Sequence, residues 1–282
     1  MKMNILRWLG MAWMAIVVVG CLPEPLPVED IPKLESKLVI SSQMLPRQGL
    51  TIVVTKSLGA LDAGSDSDPQ AVLEQIVVDD AVVTLHYSDR VDTLINVGSG
   101  VYEDLTVAWH QDISYTLNVK TESLGEVSSA TELVTPVPFD SVHVRLVYSS
   151  LDSLLQVNYT LTDPPGKNYY VVSVQGFSNL QDLSSLLNPT IFNHLIEDTE
   201  FDGREMHGEF TTFFPRFSRG DSIAVFLSTV SPEYFTFLQL RNDDEYNLAT
   251  FASEPLRYPT NVQGGYGFFN LHVPNVRLFR LP

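Results

Sequence analysis

Glu205, His207 and Glu209 are the residues of this chain whose types and spacing come nearest to a metal centre. On a β-strand, alternate residues share a face, so two carboxylates and an imidazole would project together and could ligate a divalent ion for hydrolysis. The interleaved Met206, Phe210, Thr212 and Phe214 give the stretch a plainer meaning, a strand with an apolar face inside and a polar face in solvent. No metal or cofactor is therefore expected, and the three residues stand as candidates only. The Gly264-Gly265-Tyr266-Gly267 run lacks the lysine or helix start of a phosphate loop. It reads instead as a strand whose backbone bends or is closely approached. The acidic stretches 62–68 and 243–245 do not fit the calcium-loop spacing. No G-x-S-x-G or H-E-x-x-H is present, so no catalytic residue is assigned. Six aromatic residues, Tyr169, Tyr170, Tyr234, Phe235, Tyr258 and Tyr266, are the candidate binding contacts, with core packing as the alternative use of each.

One further group has chemistry: Cys21, the single cysteine. A lone thiol excludes an intramolecular disulfide framework, zinc ribbons and CxxC redox chemistry together. It follows Lys2, Arg7 and thirteen uncharged residues from Trp8 to Gly20, a run too short to span a bilayer and suited to a signal-peptide core. Val18-Val19-Gly20-Cys21 resembles the lipobox of bacterial lipoproteins. The resemblance implies removal of residues 1–20 and acylation of Cys21. Acyl chains contribute ~0.8 kcal/mol per buried CH₂, which is an essentially permanent hold on outer-membrane lipid. Residues 21–35 carry Pro23, Pro25, Pro27 and Pro32 and read as an extended tether.

The elements that must position these groups are β-strands. With 44% hydrophobic and 18% charged residues, the 282-residue chain is globular, and its net charge of −17 argues against nucleic acid as a partner. Removing Lys2 and Arg7 leaves 15 bases against 34 acids, a mature charge of −19. Period-2 alternation predicts strands at 37–43, 51–57, 81–87, 92–97, 114–121 and 130–135. Together they suggest an immunoglobulin-like or transthyretin-like sandwich over 36–137. Pro136-Val137-Pro138 reads as a boundary. Beyond it, 138–282 reads as a second β-sandwich-like domain with strands near 142–148, 155–161, 169–175, 204–214, 222–229, 266–273 and 276–281. Residues 180–196 are expected to form one or two short helices. Ser231-Pro232-Glu233 predicts a clear helix near 232–242, with serine as N-cap and proline at the first position. The fold class is mainly β, two tandem sandwiches.

Lys37-Leu38-Val39-Ile40, Gly100-Val101-Tyr102, Phe201-Asp202-Gly203-Arg204, Ser231-Pro232-Glu233-Tyr234-Phe235 and, most specifically, Thr260-Asn261-Val262-Gln263-Gly264-Gly265-Tyr266-Gly267-Phe268-Phe269 together resemble segments of a Bacteroidota lipoprotein family, domain of unknown function 4249. The resemblance implies an outer-membrane lipoprotein commonly encoded beside a TonB-dependent receptor, and it implies no reaction. The expected function is a non-enzymatic binding or accessory module partnered with such a receptor in nutrient uptake. The competing readings are a metal-dependent hydrolase using the 205–209 face and a structural envelope protein. Neither the cell-surface nor the periplasmic face of the outer membrane is preferred.

Overall fold

In a computed structural model, residues 35–44, 49–58, 69–148, 153–176, 193–212, 217–246 and 258–282 are described. The leader, Cys21, the tether, stretch 62–68 and most of the expected helical segment 180–196 lie outside them. The protein is mainly β, and Ser36–Pro282 forms one unit. No helix among the described residues is long and apolar enough to cross a membrane.

The first half supplies β1 (Leu38–Met44), β2 (Leu50–Lys56), α1 (Pro69–Ile76), β3 (Val82–Tyr87), β4 (Arg90–Thr93), β5 (Ile95–Gly98), β6 (Val101–Asp104), β7 (Ser114–Thr121) and β8 (Gly125–Val134). The second supplies β9 (Ser141–Tyr148), β10 (Ser153–Thr162), β11 (Tyr169–Gly176), β12 (Asn193–Glu197), β13 (Glu205–Thr212), β14 (Ser222–Thr229), α2 (Pro232–Tyr246), β15 (Tyr266–Phe268), β16 (Leu271–His272) and β17 (Asn275–Arg280). In β7 the alternation has its expected cause: Tyr115, Leu117 and Val119 are buried while Thr116 and Asn118 are half-buried and Lys120 is exposed. Segment 69–76 is helical where no helix was predicted. Residues 193–196, expected to be helical, form β12 instead, paired antiparallel to β11 from Tyr169↔Glu197 to Ser173↔Asn193. There the tertiary partner outweighs the helical spacing of the leucines.

Two sheets, β15-β1-β2-β6-β5 and β16-β8-β7-β3-β4, enclose one core that includes Ile40, Ile52, Leu85, Tyr102 and Leu117. Two more, β13-β10-β9 and β12-β11-β14-β17, enclose a second core that includes Val157, Tyr159, Tyr170, Val172 and Val225. The expected assignment of 266–273 to the second domain does not hold. β15 pairs parallel with β1, β16 pairs parallel with β8, and Phe269 and Leu271 are buried in the first core. The chain therefore returns to the first sandwich before β17 closes the second against β14.

The glycines make that return possible. Gly267 has φ +94, and a Cβ there would lie 1.9 Å from the Ile40 carbonyl oxygen; at Gly265 it would lie 2.5 Å from the Leu38 oxygen. Only a residue without a side chain allows the backbone this close. Asn261 then locks the segment: its side chain donates to the Phe269 carbonyl at 2.6 Å and accepts from the Phe269 N–H at 2.9 Å, while its own carbonyl accepts from Ser129 Oγ at 2.9 Å.

Candidate ligand cleft

Between β8 on one side and residues 167–169 and 229–233 on the other lies a cleft of about 590 Å³. Its apolar lining includes Leu133, Val230 and Phe268, all buried. Glu132 and Glu233 are exposed at the rim, and among the described residues neither has an ion-pair partner. Lys167 is committed elsewhere: its Nζ lies 2.6 Å from Glu197 Oε1 and 5.2 Å from the centre of the Tyr169 ring. The hydrogen bond to Glu197, then that to Tyr169, pushes the lysine pKa up. The uncommitted charge of the cleft is negative.

The start of α2 forms one wall. Ser231 Oγ accepts from the Tyr234 N–H at 3.2 Å, as the N-cap reading required. One face of α2 sets Phe235 and Leu238 against Val171 and Val230, covering the outer side of β11, which explains why consecutive residues of that strand are buried. The other face sets Tyr234 and Phe237 against Phe268, with ring centroids 5.3 and 5.4 Å away, and Tyr234 stacks on His272 at 5.9 Å. The helix thus grips the returning segment of the first sandwich. Burial pushes the Tyr234 hydroxyl pKa up and holds His272 down at about 4.

The candidate aromatics divide accordingly. Tyr169 lines the cleft, with its ring 4.9 Å from Phe235. Phe235 and Tyr170 are buried, and the Tyr170 hydroxyl donates to Asp163; Tyr234 is half-buried. Tyr258 and Tyr266 are 37% and 48% exposed, Tyr258 beside Phe237 and Tyr266 under Lys37. The six do not converge on one site.

Glu205, His207 and Glu209 share the outer face of β13. His207 Nε2 lies 3.7 Å from Glu205 Oε1, both side chains more than half exposed. Glu209 turns the other way, accepting a hydrogen bond from Gln156, which in turn accepts one from Arg145. The spacing that could gather carboxylates is found elsewhere, at Asp163, Asp198 and Asp202, whose ligand oxygens lie within 4.8 Å of one another. Backbone donors engage all three: Gly203 N–H to Asp163 at 2.8 Å, Asn168 N–H to Asp198 at 2.6 Å and Gly166 N–H to Asp202 at 2.9 Å. These bonds account for the trio as the clasp of two loops. Asp163 and Asp202 lie far apart in sequence, and only the structure brings them together.

The chain belongs to the family described as domain of unknown function (DUF4249), whose sequence profile matches residues 24–273. No curated protein matches it.

Proposed function

We propose that this protein is a lipid-anchored accessory module of the outer membrane, held by acylated Cys21, that captures a small neutral or cationic ligand beside a TonB-dependent receptor. The observation that carries the ligand reading is the cleft: a volume in the small-molecule range, an apolar floor and two rim carboxylates with no ion-pair partner among the described residues. The mature charge of −19 steers the same class of ligand toward it. The lone cysteine after a short apolar run supports the anchor, and the family resemblance supports the receptor partner. Affinity purification from the native membrane in mild detergent tests the anchor and the receptor partner. It should recover a TonB-dependent receptor and a chain whose intact mass begins at an acylated Cys21. Cys21→Ser should release the chain from the membrane fraction. Recovery of the unmodified chain would refute the first, and of the lipidated chain with no outer-membrane receptor the second.

A further inference from the structure

We infer that the cleft binds a short basic peptide, held by main-chain hydrogen bonds to the unpaired edge of β8 between Ala130 and Glu132. The inference rests on the cleft reading above and names the class of its ligand; it requires neither the anchor nor the receptor.

One edge of β8 pairs with β7, and the other carries two separate bridges. At the first, Gln263 N–H donates to the Ser128 carbonyl at 2.8 Å and Ser128 N–H to the Gln263 carbonyl at 3.3 Å. Ser128 therefore directs its backbone away from β7, and strand alternation gives Ala130, Glu132 and Val134 the same direction. The second bridge sets Leu133 opposite Leu271 in parallel register, which engages the Glu132 carbonyl and the Val134 N–H. Between the two bridges the Ala130 N–H, the Ala130 carbonyl and the Glu132 N–H are left over. Continuing the first bridge would bring Asn261 opposite Ala130. The Asn261 carbonyl instead accepts from Ser129 Oγ at 2.9 Å, and its side chain is held by the Phe269 backbone. Ala130 is exposed, and Ala130, Glu132 and Asn261 all line the cleft.

A donor, an acceptor and a donor at strand spacing are the complement of an extended peptide's main chain. A simple amine matches the rim alone, and a purely apolar molecule the floor alone. Val230 and Glu233 stand on the opposite wall, so the cleft of about 590 Å³ encloses a short chain rather than extending a sheet into solvent. Charge then selects the side chains. Glu132 lies on the paired edge itself and Glu233 across from it, both exposed and, among the described residues, without an ion-pair partner. Lysine or arginine flanking an apolar residue meets both rim and floor.

The test uses the full chain in detergent, with acetyl-Lys-Val-Thr-Lys-amide and 1,5-diaminopentane as probes in titration calorimetry. The peptide should bind, and amide exchange should slow at Ala130 and Glu132. Pairing along one edge uses every second peptide N–H, so N-methylation at positions 1 and 3 or at 2 and 4 should differ. One set should weaken binding about fivefold or more and the other much less. Glu132→Gln and Glu233→Gln should each weaken it about two- to fivefold. Equal binding of the parent and both N-methylated peptides, or exchange slowed only away from 128–134, would overturn the inference. Binding of 1,5-diaminopentane without the peptide would also overturn it, while leaving the cleft reading standing. Binding of neither probe would overturn it and count against the cleft as a cation site as well.

Discussion

Substituting Gly267 by alanine tests whether the returning segment welds the first sandwich together. Two effects add. A side chain at φ +94 is in the left-handed half of backbone space, about 1–2 kcal/mol unfavourable. The new Cβ would also sit 1.9 Å from the Ile40 oxygen, against a contact distance nearer ~3.5 Å, and the obstacle is backbone that no rotamer change can move. β15 must then leave β1, giving up hydrogen bonds worth ~1 kcal/mol each and loosening Phe268, which is 5% exposed. The sum is about 4 kcal/mol, or about 8–16 °C in melting temperature for a body of this size. Gly220→Ala separates the two effects, because Gly220 has φ +89 and nothing within 4 Å of its Cβ position. It should melt only about 2–8 °C below the parent, reflecting the backbone effect alone. Differential scanning calorimetry of residues 36–282 in parallel gives both numbers. If the two variants melted within about 2 °C of each other, the close-approach argument would be wrong.

Two tyrosines should respond oppositely to loss of the hydroxyl. Tyr170→Phe removes a donor from the buried Asp163 and should lower stability by about 1–3 kcal/mol in urea unfolding, whereas the buried Tyr159 hydroxyl has no partner among the described residues and Tyr159→Phe should leave stability unchanged or raised. His272 is held at about 4 by burial, below the ~6.5 of an unfolded histidine, so the unfolded chain binds the extra proton between these values. Its contribution is complete above about pH 6.5 and declines toward about pH 4; melting temperatures across that range should fall less steeply in His272→Gln, and equal slopes would contradict the assignment. Ser231→Ala removes the cap of α2 and should lower stability by about 1 kcal/mol, a drop of about 2–4 °C by circular dichroism.

The strands were legible wherever one face is buried and the other wet. The predicted bounds 114–121 and 222–229 match β7 and β14, the first because alternation shows directly, the second because turn residues flank it. The α2 start was legible because capping is local chemistry in three residues, Ser231, Pro232 and Glu233. Two features were illegible for one physical reason. β12 borrows its conformation from the ladder with β11, and 266–272 borrow theirs from β1 and β8, more than 130 residues away in sequence. Neither partner leaves a mark on local periodicity. The glycines at 265 and 267 did mark a close approach, but not which strand approaches.

The candidate site shows the same division between residue type and place. Aromatic residues were the natural sequence candidates for binding, because they dominate hot spots. Yet an aromatic ring is equally the best side chain for holding two layers together, and Tyr234 and Phe237 are used that way, locking α2 onto Phe268 and His272. What they hold in place is the cleft, whose rim carboxylates drew no notice in sequence because an exposed glutamate is commonplace. Glu132 lies on β8 and Glu233 in the first turn of α2, about a hundred residues later. They face one cavity only because β15 and β16 join the first sandwich while α2 packs against that same segment. If the cleft captures a ligand as proposed, loosening this junction by Gly267→Ala should weaken that capture as well as stability, whereas Gly220→Ala should weaken stability alone. Ligand binding lost equally in both variants would place the binding site elsewhere than the cleft.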